Sequence, residues 1–236
     1  MLPLCAATLL ACGGSKPQEP TQPAPVQELV APITAAPTTP TNPDEAPLPL
    51  APDLKKGVLP NGLTYYIRKH GKPEKRVRLW LAVNAGGMLE DDDQNGLAHF
   101  DEHMSFNGTK RFPKLDIVNY LQSIGMRFGA DLNAYTNNSE TVYQLEVPTE
   151  PDKLARGLDI IRDWAGDATY DPAEVKSESG VVLEEWRGDR GAEMRLGKKH
   201  DKVLFKGTRW AERDTIGDPE ILKKADRSAL YRFYKD

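Results

Sequence analysis

The chain has 236 residues and a formal charge of −4, unevenly spread: eleven of its 19 prolines lie between Pro17 and Pro52, and the first aromatic residue is Tyr65. Residues 1–52 carry −3 and the remainder −1, a near-balance that excludes nucleic-acid binding driven by a basic field. Both cysteines, Cys5 and Cys12, precede residue 13, which excludes a disulfide, a cysteine zinc site and a thiol nucleophile from everything after them.

In chain order, residues 1–12 are apolar, too short to span a bilayer, and end in small residues, the pattern of a secretory signal. Leu9-Leu10-Ala11-Cys12 resembles a bacterial lipobox, in which Cys12 becomes the lipidated first residue. With Gly13 following, that resemblance implies a lipid anchor in the outer membrane and a cell-envelope location facing the periplasm. Residues 13–52 are rich in Pro, Ala, Thr and Gln and cannot bury enough apolar surface to fold, so they are expected to be a disordered tether. Extended, residues 16–52 reach up to ~110 Å at about 3.1 Å per residue.

Residues 53–236 are expected to form the folded domain. Pro60-Asn61-Gly62 signals a turn, followed by a strand over Leu63–Ile67. Val77, Leu79, Leu81 and Val83 alternate with other residues, so a second strand is predicted there, ended by Gly86-Gly87. A helix is predicted over residues 96–106, and Leu115, Val118, Leu121 and Ile124 mark another ending near Gly125. Leu132–Thr136 and Thr141–Val147 read as a hairpin across Asn137-Asn138-Ser139. A helix follows with Leu154, Leu158, Ile161 and Trp164 on one face. Asp171-Pro172-Ala173-Glu174 then opens a capped helix running to about Arg187. Leu230, Phe233 and Tyr234 continue a helical pattern near the end. The order β-β-α-α-β-β-α-α predicts an α+β fold with helices packed on a largely antiparallel sheet.

Within the first predicted helix, His99-Phe100-Asp101-Glu102-His103 places two imidazoles four residues apart. Positions i and i+4 lie about 40° apart around the axis, so both rings face one way with Glu102 beside them. Neutral imidazoles suit Zn²⁺, and a neighbouring carboxylate can take a proton from an attacking water. A catalytic zinc needs a third protein ligand. Glu178 and Glu185, seven apart on the capped helix, share a face, whereas Glu184 points elsewhere; spacing alone leaves both candidates open. A rival reading exists: Asp91-Asp92-Asp93-Gln94-Asn95-Gly96 with Glu102 matches the pattern of a calcium loop. It ranks second, because a strand rather than a helix precedes the loop and the paired histidines go unused.

Three segments together resemble the pitrilysin/insulinase zinc metallopeptidases. They are Gly96–Thr109, with the inverted H-x-x-E-H order; Leu132–Thr136 with Glu140–Tyr143; and Glu178–Arg187. The resemblance covers about residues 57–236 and implies the N-terminal catalytic domain of such an enzyme, C-terminally truncated. It implies that His99, His103 and Glu185 hold Zn²⁺, that Glu102 activates water, and that Glu178 supports the ligands from behind. It further implies that an extended peptide or small protein substrate pairs along Asn133, Ala134, Tyr135 and Thr136. Family members continue into further domains, so a second family half or downstream domains are implied as partners. The alternative is a catalytically inactive family fragment with a binding or structural role. Two positions depart from the family pattern. Asp101 stands where an apolar residue is usual and points toward the core, where a carboxylate without a partner is costly. Ser179 stands where arginine is frequent.

Overall fold

The computed structural model describes residues 49–235. The expected signal segment, Cys12 and nearly all of the expected tether lie outside the described residues. Residues up to His70 and residues from Gly71 onward form separate compact units.

In the first unit, β1 (Leu54–Val58) pairs antiparallel with β2 (Thr64–Arg68), from Leu54 opposite Arg68 to Val58 opposite Thr64. The predicted turn joins them, and Gly62 takes φ 89°, a left-handed conformation that glycine adopts without a Cβ clash. The sequence reading named β2 and the turn but not β1, whose Lys55-Lys56-Gly57 gives little alternation.

The second unit holds a three-stranded antiparallel sheet in the order β3-β5-β4. Its strands are β3 (Arg76–Val83), β4 (Leu132–Thr136) and β5 (Thr141–Pro148). The helices are α1 (Leu97–Met104), α2 (Asp116–Ser123), α3 (Pro151–Gly166), α4 (Pro172–Gly188), α5 (Ala192–Leu204), α6 (Pro219–Leu222) and α7 (Arg227–Lys235). The α+β class and the antiparallel pairing hold, with two small sheets among the described residues rather than one large one. Helices α5 and α6 were not foreseen. Helix α5 buries none of its residues, although Leu196, Val203 and Leu204 give it apolar positions.

One core lies between the sheet and α2–α3: Leu132, Tyr143, Leu145 and Val147 meet Ile117, Leu121, Ile160 and Trp164. Helix α3 approaches the sheet closely at Gly157, where a Cβ would lie 3.1 Å from both Leu79 and Val147. That approach turns α3 so that Gly157, Ile160 and Trp164 face inward, while Leu158, predicted for the inner face, is 51% exposed. A second core joins α1, α4, α6 and α7 through Leu97, Phe100, Met104, Val175, Val182, Leu222 and Leu230. Helix α1 thus runs between the two cores, which is what positions its polar face.

Candidate metal centre

Helix α1 is short because the chain leaves it abruptly at both ends. Gly96, at φ 100°, turns the chain into the helix, and beyond Met104 the next turns are closed by Phe106 N–H to His103 and Asn107 N–H to Met104. The indole of Trp164 donates to the Ser105 carbonyl at 3.0 Å and holds that end against α3. Helix α4 starts at the predicted cap: the Asp171 side chain accepts from the amides of Ala173 (2.8 Å) and Glu174 (3.4 Å), with Pro172 at the first helical position. Ser179, one of the two departures, is buried and donates to the Leu222 carbonyl at 2.9 Å, tying α4 to α6.

Where α1 meets α4, His99, His103 and Glu185 each offer a ligand atom, all within 4.8 Å of one another. Glu185 Oε2 lies 3.4 Å from His103 Nε2 and 3.8 Å from His99 Nε2. The two rings meet edge-on, with centroids 4.7 Å apart. Glu178, one turn pair earlier on α4, bonds the other nitrogen of His103: Oε1 to Nδ1 is 2.8 Å. The two glutamates the sequence left as alternatives therefore occupy different places. Glu185 joins the cluster, and Glu178 orients one of its rings from behind, leaving Nε2 turned toward Glu185.

The electrostatics follow from this layout. Burial disfavours a charge on His99, and the neighbouring His103 disfavours it further, so its pKa falls to about 4. The ring is thus neutral at pH 7, the form that ligates metals. Burial acts the same way on His103, but the bond to Glu178 and the nearby carboxylates outweigh it and raise its pKa. Glu178 responds conversely: burial pushes its pKa up, and the bonds to His103 and Asn107 bring it below the usual value.

Glu102 is buried, and its Oε2 accepts from Thr136 Oγ1 at 2.6 Å. Thr136 in turn lies 3.2 Å from Thr141 Oγ1, which donates to the Ala85 carbonyl at 2.9 Å. Burial raises the Glu102 pKa, partly offset by the Thr136 bond and by His103. Asn133, Ala134, Tyr135 and Thr136 lie on β4, which pairs with β5 on one side and with no other strand among the described residues. A cleft of about 550 Å³ opens in front of the cluster, lined by His99, Thr136, Glu185, Lys202 and Arg213 among others.

Asp101 faces the core as expected, and the phenol of Tyr170 donates to its Oδ1. The partner is neither Arg nor Lys. Burial lifts the Asp101 pKa to about 7, against the lowering effect of the Tyr170 bond, and Glu102 adds to the rise. A carboxyl that keeps its proton near neutrality avoids the cost of a buried charge.

The calcium reading fails on side-chain direction. The loop is a tight 3₁₀ turn reached from β3 through a short 3₁₀ turn at Gly87–Leu89, with no α-helix entering it. Asp92, its side chain 98% exposed, pairs with Arg213 at 2.7 Å; Asp93 pairs with Arg232 at 2.7 Å; and Glu102 turns to Thr136 instead. Two ligand positions of the pattern are thus engaged elsewhere, Asp93 by an arginine and Glu102 by a threonine, while Asp92 stands at a position that contributes no ligand.

The sequence reading missed two groups: Tyr170, and Glu90, whose fully buried carboxylate accepts from the amides of Gly96 (3.0 Å) and Ala98 (2.8 Å). Nothing in the local pattern at Glu90 or Tyr170 marks them.

Residues 65–200 match the family model described as insulinase, peptidase family M16. The chain is 42% identical over 188 residues to a probable zinc protease PqqL from Haemophilus influenzae, covering 79% of this chain and 20% of that protein. Among solved structures, the first half of the periplasmic protease PqqL from Escherichia coli superposes with a TM-score of 0.77 at 39% identity, covering 80% of this chain and 41% of that one. The ferredoxin protease FusC, solved in complex with Arabidopsis ferredoxin, matches with a TM-score of 0.72 at 30% identity, over 77% of this chain and 20% of that one. The chain spans about a fifth of the length of the probable zinc proteases PqqL that it matches. A motif helix, a hairpin and a glutamate helix brought together as described, with a family match across more than half of its length, place this chain in the insulinase family of peptidases, family M16.

Proposed function

We propose that the chain is the zinc-binding, N-terminal catalytic part of a metalloendopeptidase that cuts extended peptides or small proteins. The observation that carries this is the convergence of His99, His103 and Glu185 within 4.8 Å beside the buried carboxylate of Glu102. The donor set fits zinc: two imidazoles, one neutral by burial and one oriented from behind by Glu178, with a carboxylate completing three ligands. The half-exposed Glu185 leaves the cluster open to the cleft, as a catalytic rather than a structural site requires.

Zinc, when held there, supplies Lewis acidity to the peptide carbonyl and to the attacking water. The protein's own residues do the rest. Glu102 takes the proton of the attacking water and passes it to the leaving amine; burial raises its pKa, which makes it a better base for the first transfer. Thr136 holds one oxygen of Glu102, so the other is free to face the reaction. The same Thr136 ends the β4 edge, along which Asn133–Thr136 receive the substrate as an added strand. One residue therefore links where the peptide lies to where the base points.

The supporting parts of this reading are the lipidated Cys12 after a signal segment, residues 13–52 as a tether, and residues 53–236 as the catalytic domain. They put the site in the cell envelope, anchored to the outer membrane and facing the periplasm. The periplasmic relative supports the compartment. A second family half or downstream domains would complete the enclosure of substrate, consistent with the fraction of its relatives that this chain spans.

The test is zinc per chain together with peptide cleavage, for the wild type and Glu102→Gln. The expected outcome is one zinc in each and a rate lower by about 10²-fold or more in the variant. Zinc in both with cleavage by neither would support the second reading, an inactive family fragment that binds or scaffolds a partner.

A further inference from the structure

A metal centre built from two helices is only as well defined as the helices' relative placement. The first turn of α1 carries amide groups that the helix itself does not satisfy. Gly96 provides no side-chain cap. Glu90, six and eight residues upstream, provides one instead: its Oε1 accepts from Gly96 N–H at 3.0 Å and from Ala98 N–H at 2.8 Å. Ala98 is the residue immediately before His99.

Glu90 is itself clamped. Its carbonyl accepts from the guanidinium of Arg209 and, at 3.1 Å, from that of Arg213. Arg213 is nearly enclosed and also bonds Asp92. The segment carrying these arginines continues across the start of α1. Asp218 N–H donates to the Asn95 carbonyl at 3.1 Å, and a Cβ on Gly96 would lie 2.6 Å from the Cα of Gly217. The strap over residues 209–218 and the start of α1 therefore meet backbone to backbone, with Glu90 between them.

We infer that Glu90 is a positioning residue of the metal centre: acting through the amides of Gly96 and Ala98, it sets the depth and pitch of α1 and hence where His99 and His103 stand relative to Glu185. This rests on the zinc reading above. The reasoning is geometric. Zinc–ligand distances tolerate about 0.2 Å, so a small slide or tilt of α1 against α4 separates donors that now lie within 4.8 Å. A carboxylate on the first-turn amides also complements the helix dipole. Burial raises the pKa of Glu90 to about 7, despite its amide bonds and the two arginines, so a neutral side chain of equal reach should serve nearly as well.

The experiment compares zinc affinity, by chelator competition, and the visible spectrum of the Co²⁺-substituted protein for the wild type, Glu90→Gln, Glu90→Asp and Glu90→Ala. All are measured where far-UV circular dichroism shows wild-type helix content. Glu90→Gln keeps the reach and the accepting oxygen; Glu90→Asp keeps the charge but draws the oxygen back by one methylene. The expected result is zinc binding about 10–100-fold weaker for Glu90→Ala, with shifted Co²⁺ bands, and rescue to within about threefold by Glu90→Gln. Glu90→Asp should fall between them. A folded Glu90→Ala with wild-type affinity and spectrum overturns the inference and leaves the zinc reading intact. Should Glu90→Ala not fold, the ranking decides: Glu90→Asp matching or exceeding Glu90→Gln overturns it. A wild-type chain that takes up no zinc fails the zinc reading itself and this inference with it.

Discussion

The two ends of α1 are held by different kinds of contact. Its C-terminal end sits on the sheet-side core, where Phe106 packs edge-on against Trp164 at 5.4 Å and Trp164 stacks on Tyr143 at 5.2 Å. Its N-terminal end is held by a carboxylate, two guanidiniums and a glycine–glycine approach. Between them, Asp101 reaches a tyrosine in the second core. Apolar packing supplies most of the free energy but tolerates repacking; hydrogen bonds to fixed backbone groups supply less energy and define direction. The comparison suggests a division of labour, with stability coming from the sheet side and alignment of the ligands from the polar side.

That division can be broken at its strong end first. Trp164→Ala removes the indole from both ring contacts and from the Ser105 carbonyl, and should lower stability by ~3–5 kcal/mol. Urea denaturation measures it. If the folded fraction of this variant still binds zinc with wild-type affinity, stability and alignment are separable, as the comparison requires. Loss of affinity in step with stability would merge them.

Asp101 tests the middle of the helix through pH. Its carboxyl has a pKa near 7 when folded and 3.8 when unfolded, so the folded state holds a proton that the unfolded state has released. The associated stability is fully present below about pH 4 and is lost as pH rises through 7. Asp101→Asn keeps an oxygen for Tyr170 and has no such dependence. Relative to the wild type, the zinc-free variant should therefore gain ~2–4 kcal/mol between pH 4 and pH 8. A stability difference that stays constant across that range would remove Asp101 from the set of buried protonated groups.

The smallest expected effect is at the polar side alone. Glu178→Ala frees His103 Nδ1 without touching either core, and should weaken zinc binding about 10–100-fold with little change in unfolding midpoint of the zinc-free chain. A large fall in that midpoint would show that Glu178 holds α1 to α4 rather than orienting a ligand.

Much of this was legible before the structure. The H-x-x-E-H helix, the β4–β5 hairpin and the capped start of α4 each declare themselves within a dozen residues, through periodicity, a turn signal and an N-cap. Other features were not. Residue spacing left Glu178 and Glu185 equivalent. They part because α4 crosses α1 so that one carboxylate meets the Nδ1 side of His103 and the other the Nε2 side. Asp101 looked like a misfit because its partner, Tyr170, is 69 residues away, and Glu90 had no visible role because its clamp lies 119 and 123 residues downstream.

The sequence by itself determined the α+β class and the identity of the residues offered for chemistry, since local pattern and residue type suffice for both. Tertiary structure decided which of those residues meet, which oxygen of Glu102 is held and why a carboxyl can sit in the core at Asp101. Those outcomes depend on contacts between segments far apart in the chain, and such contacts leave no period, spacing or composition for a sequence reading to find.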